Sequence, residues 1–159
     1  MAREIASKQD TKIAVLPGRS LARKETTVAA RLKESPFEFG FFQAVRLLER
    51  IFPERAPVGL NGQSLDEVAH FHAQLSLAFP ASEIHDLTQD ETGQVQMVVA
   101  FMGLTGPVGI MPAVYSEALL DGKRRREFAM SEFLDIFNHR LISLFYRAWE
   151  KHNVAIAYE

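Results

Sequence analysis

The sequence contains no cysteine, and this absence removes several kinds of site at once. Disulfides, zinc–thiolate centres and thiol catalysis all need cysteine, so each is excluded. No apolar run reaches the roughly 18 residues that a membrane-spanning helix needs. The first residues also lack the apolar segment of a secretory signal peptide, so we expect a cytoplasmic protein.

Basic side chains are missing from the middle of the chain, although the whole sequence is close to neutral. Lys and Arg number 18 against 20 Asp and Glu, and the net charge of −2 argues against a general nucleic-acid binder. Between Ala56 and Gly122 there is no Lys or Arg, whereas eight acidic residues lie there. We expect solvent, the rest of the chain or a partner to balance this acidic block.

The 159 residues are enough for one domain that buries a core of its own. Residues 1–25 have no sustained period and predict a flexible, weakly basic arm, which leaves 26–159 as the folded domain. The last residues begin another possible strand, so we expect the chain to be part of a longer protein.

Two helices are predicted in the first part of this domain. A short one covers 26–34, and a start signal follows it. Ser35 fits an N-cap, Pro36 the first helical position and Glu38 the reciprocal position of a capping box. Large apolar residues then recur at helical spacing until Pro53 stops the second helix.

Alternating apolar and polar residues predict two strands. The period of two runs from Ala69 to Phe79 and again from Val95 to Phe101. We predict that the two strands form an antiparallel ribbon joined by a polar connection, with His70 on the solvent face. Glycine and proline then predict an irregular structural turn. Its residues are Gly103, Gly106, Pro107, Gly109 and Pro112.

A short helix is predicted for 113–120, and the longest helix for 127–152, about 36 Å at 1.5 Å per residue. Apolar side chains cover about half of the long helix, more than one small sheet can bury. We predict that Leu141 and Phe145 serve the domain's own core and that one flank faces a partner. The candidate partner-binding residues are Leu134, Asn138, Ile142 and Trp149. The predicted fold is α+β, with two main amphipathic helices packed on a small antiparallel sheet and long loops.

Two groups of polar residues have the types needed for chemistry. His70 and His72 share one strand face at a metal-ligand spacing, with His85 or Glu83 as a third ligand. The alternative is a pair of polar residues on a solvated face. Asp135, His139 and Ser143 superficially resemble a hydrolase triad, but on one straight helix they cannot converge on a substrate atom. We therefore expect an exposed hydrogen-bonded ladder.

Two other motifs could bind phosphate. The turn from Gly103 to Gly109 lacks the Lys-Ser/Thr of a phosphate-binding loop, so it predicts a rigid turn. Lys123 to Arg126 could grip phosphate or lipid headgroups, or could form a solvated turn or a contact for the acidic block.

Four longer strings, at 35–50, 75–84, 101–112 and 133–149, carry a family resemblance. Among them are SPFEFGFFQAVRLLER, FMGLTGPVGIMP and FLDIFNHRLISLFYRAW. In this order and spacing they resemble the baseplate subunit TssG, also called ImpH or VasB, of bacterial type VI secretion systems. The resemblance covers the first half of that family's length.

The resemblance implies a structural subunit without catalysis or cofactor. It implies assembly with two copies of a TssF-like subunit into a baseplate wedge, and a bridge from that wedge to trimers of a TssK-like adaptor. It also implies a cytoplasmic location at the baseplate docked on the inner membrane, without nucleic acid or membrane insertion. Two other classes stay open: a metal-dependent enzyme using His70 and His72, and a polyanion-binding module using Lys123–Arg126.

Overall fold

A computed structural model describes residues 28–60, 66–90, 93–153 and 156, so the predicted arm at 1–25 lies outside the described residues. Four α-helices and three strands are described there. The helices are α1 (Val28–Glu34), α2 (Phe41–Ile51), α3 (Ala113–Arg124) and α4 (Ala129–His152). The strands are β1 (Ala69–Ala73), β2 (Ile84–Gln89) and β3 (Val95–Val99). The α+β class is confirmed.

The sheet is mixed, so the predicted antiparallel ribbon is wrong. Its order is β1-β3-β2, with β1 parallel to β3 and β2 antiparallel to β3. The connection that we predicted to be polar therefore contains a strand. A register shift between Ile84 and Asp86 lets Ile84 and Leu87 both be buried, although they are three residues apart. This irregularity hides the period of two that identifies a strand.

The start of α2 also differs from the prediction. Pro36–Glu38 form a 3₁₀ turn, and Ser35 makes no side-chain capping bond. The helix begins at Phe41 instead, after Gly40 in extended conformation. Glycine has no side chain to cap the helix, and a carboxylate oxygen of Glu83 accepts a hydrogen bond from the Phe41 N–H at 2.6 Å. The cap therefore comes from the residue just before β2.

The core is centred on Phe41, which is completely buried. Its ring lies 5.6 Å from Phe71 on β1, 5.0 Å from Phe101 and 6.3 Å from Tyr146 on α4, measured between ring centroids. Tilted and edge-to-face contacts of this kind stabilise aromatic cores beyond the area that they bury. The core thus joins α2, the sheet and α4 in one unit.

A buried polar link strengthens the same junction. The Glu49 carboxylate on α2 accepts hydrogen bonds from the Tyr146 hydroxyl, at 2.8 Å, and from the Val58 N–H, at 3.1 Å. Burial raises the pKa of Glu49, and these two bonds oppose the rise. The link ties α2, the loop after it and α4 together.

Candidate functional site

Helix α4 covers the free edge of β1 with polar side chains. The Phe71 N–H donates to His139 Nδ1 at 3.2 Å, and the Ala73 N–H donates to Asp135 Oδ1 at 3.3 Å. Four helical residues rise about 6.0 Å and two strand residues about 6.6 Å, so side chains at i and i+4 match alternate amides of the strand. Edge amides that would otherwise lack partners are therefore satisfied.

The buried His139 ring is neutral. Because its Nδ1 accepts a hydrogen bond, the ring proton belongs on Nε2, which lies 3.5 Å from Glu67 Oε2. Burial, together with the neighbouring His70, His72 and Arg140, lowers the pKa of His139 to about 4. Glu67 is itself only 1% exposed, and burial raises the pKa of its carboxyl group. The pair is thus a contact inside the core.

His72 and Asp135 form the second polar contact between β1 and α4. His72 Nδ1 lies 2.9 Å from Asp135 Oδ2, and Nε2 lies 3.0 Å from Gln96 Oε1. The bond to Asp135 raises the pKa of His72 despite burial. Burial opposes the shift at Asp135, but bonds from His72 and Asn138 still lower the pKa of its carboxyl group. Both shifts favour an ion pair between the His72 ring and the Asp135 carboxylate.

These contacts correct two predictions. His70 and His72 do not lie on a solvated face, because α4 covers it: the His70 ring stacks on His139 with centroids 4.4 Å apart. The predicted exposed ladder of Asp135, His139 and Ser143 faces inward, and Ser143 is completely buried. Within the described part of the chain, no group of three or more His, Cys, Asp or Glu residues could hold a metal ion.

The opposite, outer side of α4 is exposed and apolar. We call it the outer face, and all of its large side chains are at least 42% exposed. They are Phe133, Ile136, Phe137, Leu141, Leu144 and Phe145. The prediction that the middle of the apolar arc forms the core is therefore wrong. Hydrophobicity alone favoured the outer face as the buried side of α4. The edge amides of β1, however, need the polar acceptors Asp135 and His139, which lie on the opposite side.

The flank that we predicted for a partner lies mostly inside the chain. Leu134, Asn138 and Ile142 are buried, and Trp149 stacks on Phe42 with centroids 4.3 Å apart. The Asn138 amide oxygen accepts a hydrogen bond from the Leu104 N–H at 3.0 Å. Asn138 thus fixes the turn before α3, whereas we predicted contact with another protein.

That turn lies close to α4 and has strict backbone requirements at two of its glycines. Gly106 has a φ of +93°, which disfavours other residues, and its N–H donates to the Ser116 hydroxyl at 2.9 Å. A side chain at Gly109 would meet the Leu104 carbonyl oxygen at 2.6 Å. Pro107 and Pro112 lie in the same turn, and the Met111 N–H donates a hydrogen bond to the Leu104 carbonyl oxygen at 3.0 Å. The turn is held by its own backbone hydrogen bonds and by side chains of α3 and α4.

The basic residues 123–126 lie partly at the end of α3 and partly in the turn that follows it. Lys123 and Arg124 end α3, and Arg126 has a positive φ of 63°. Arg125 pairs with Asp121 at 2.5 Å. Asp121 belongs to the acidic block, so one of the four basic residues contacts that block directly.

Comparison with known proteins gives one family. Residues 35–159 match the family model described as "Type VI secretion, TssG". No curated protein and no solved structure matches the chain. None of the helices in the described ranges has both the length and the hydropathy needed to cross a membrane.

Proposed function

The chain belongs to the TssG family of type VI secretion proteins, and from that premise we propose that it is a wedge subunit of the secretion baseplate. In this role it joins two copies of a TssF-like subunit and bridges them to trimers of a TssK-like adaptor. It acts in the cytoplasm, at the baseplate docked on the inner membrane. Members of this family are structural components of the secretion system.

The outer face of α4 carries the proposal. Single soluble proteins rarely expose a contiguous apolar patch of this kind, and such patches mark interaction sites. The apolar stripe of an amphipathic helix is normally buried. Here the sheet and α2 bury the other side of α4, and a neighbouring subunit of the baseplate would cover the outer face.

The polar residues of α4 support a structural role as well. Asp135 and His139 are engaged with the backbone of β1, and His72 is engaged with Asp135. Side chains that hold a helix on a sheet are part of a scaffold. The same residues therefore explain how α4 is fixed rigidly enough to present its outer face.

Co-purification tests the proposal. The full chain is co-expressed with TssF-like and TssK-like proteins of the same organism, and we expect a complex with two TssF-like copies for each copy of this chain. Phe133→Glu should disrupt that complex, whereas Phe37→Glu, at the same 57% exposure, should leave it intact. A chain that purifies alone in the presence of both proteins would contradict the proposed function.

A further inference from the structure

The outer face has a second wall. Val108 and Ile110 of the turn before α3 are exposed beside Leu141, and a recess of about 210 Å³ lies between them, with Leu104 among its lining residues. We call the outer face together with Val108 and Ile110 the outer groove. We infer that the outer groove binds one amphipathic α-helix of a partner protein, with carboxylates along one flank. This inference rests on the proposed function and specifies the partner's chemistry.

The recess suits a single anchoring side chain. A dry cavity of about 150 Å³ is enough to hold a benzene molecule. The recess beside Leu141 is larger and open on one side, so it can take a Phe or Leu from the partner. Buried anchors of this kind carry most of the binding energy in interfaces.

The backbone around the outer groove favours a helical partner. Residues of α4 use their N–H and C=O groups within the helix, and the Leu104, Gly109 and Met111 amides are bonded inside the turn region. An extended peptide would bury backbone groups against this surface without forming strand hydrogen bonds. A helix satisfies its own backbone, and its apolar stripe can lie in the groove.

The length of the stripe sets the size of the partner helix. From Phe133 to Phe145 the outer face extends over 12 residue steps, or about 18 Å. A partner helix of about 12 residues covers that length, with apolar residues at i, i+3, i+4 and i+7.

The charges around the outer groove indicate acidic flanks on the partner. At 100° per residue, Arg140, Arg147 and Lys151 lie in one row along α4, between Ile136 and Leu144 of the outer face. Arg147 contacts Glu150, while Arg140 and Lys151 are exposed. The turn from Leu104 to Pro112 contributes no charged side chain to the other wall. Carboxylates opposite this basic row would orient the partner helix, and lysines there would be rejected.

A second copy of this chain fits the outer groove poorly. Arg140 lies in the middle of α4, which runs from residue 129 to residue 152. A two-fold pairing of antiparallel α4 helices would bring the two Arg140 side chains together at the axis. Like charges at that point would weaken self-association, whereas acidic side chains of another protein would not.

Site-specific photo-cross-linking tests the inference. The photoreactive residue p-benzoylphenylalanine replaces Leu141 in the full chain, co-expressed with the TssF-like and TssK-like subunits, and the cross-linked peptide is identified by mass spectrometry. We expect a partner segment with helical apolar spacing and Asp or Glu flanks. The same residue at Phe37 is the control and should not cross-link to that segment. A cross-link from position 141 to an extended segment, to a segment with basic flanks or to another copy of this chain would overturn the inference.

Two substitutions measure separately what the apolar contact and the basic side chains contribute to binding. Leu141→Asp should weaken binding of the purified partner subunit about 100-fold or more, because it puts an unpaired charge in the apolar contact. Lys151→Glu should weaken binding about three- to ten-fold, mainly at low salt. Circular dichroism of each variant checks that the domain still folds.

The result also separates this inference from the proposed function. If the complex forms and tolerates Leu141→Asp, the outer groove is not the contact and only this inference fails. If the unsubstituted chain binds neither baseplate subunit, the proposed function fails and this inference fails with it.

Discussion

Protonation of His139 should destabilise the fold as the pH falls. The ring accepts a hydrogen bond from the Phe71 N–H at Nδ1, and the side chain is almost completely buried. A proton on Nδ1 would place two donors against each other and put a charge in the core. The pKa of about 4 reflects this cost, because the neutral ring is strongly preferred in the folded state.

The size of the effect follows from the two pKa values. An unfolded histidine titrates near 6.5, so it binds its proton about 2.5 pH units before the folded one does. A lowered pKa of a base means that stability is complete above pH 6.5 and is lost as the pH falls towards 4. By linkage, the loss is about 1.4 kcal/mol at pH 5.5 and about 2.5 kcal/mol at pH 4.5.

Urea denaturation at pH 7.5, 6.5, 5.5 and 4.5 measures this loss as a difference between the original chain and His139→Gln. The glutamine oxygen can still accept from Phe71 but does not titrate. Glu67 has a raised pKa, so its own contribution grows as the pH falls, and a Glu67→Gln background removes it. Parallel pH curves for the histidine and glutamine chains would refute the buried neutral ring.

Three further predictions concern single sites. Gly106→Val should cost about 1–3 kcal/mol because of its positive φ, seen as a lower melting temperature. Ile142→Asp should unfold the isolated domain, because it costs more than about 4 kcal/mol of folding free energy. Leu141→Asp should change the free energy of unfolding by less than about 1 kcal/mol. Equal effects of the two substitutions in denaturation would contradict the assigned sides of α4. Tyr146→Phe should cost about 1–3 kcal/mol in denaturation, because Glu49 loses a buried partner.

The elements with regular patterns could be predicted from the sequence. The alternation at Val95–Val99 is a strand whose first, third and fifth residues are buried, and the long helix begins two residues after the predicted position. Each of these signals is local, because a period of two or 3.6 residues reflects one buried face. The family resemblance, which depends on strings of residues, is confirmed by the match to residues 35–159.

Features that depend on distant partners could not be predicted in the same way. The cap of α2 comes from Glu83, 42 residues from Phe41, and no local motif contains it. The buried side of α4 was misassigned because hydrophobicity says nothing about an uncovered strand edge. A usable signal was present in the spacing of Asp135 and His139, which matches alternate amides of a strand.

Because α4 covers the edge of β1, the amide protons of Phe71 and Ala73 report on the attachment of this helix. Phe71 and Ala73 donate to side chains of α4, while their neighbour Gln74 donates to Val99 on β3 at 2.8 Å. In native-state hydrogen exchange, the first two amides become accessible when α4 detaches, and Gln74 becomes accessible only when the sheet itself opens. The adjacent amides of Ala73 and Gln74, at the end of β1, therefore report the free energies of two separate opening events.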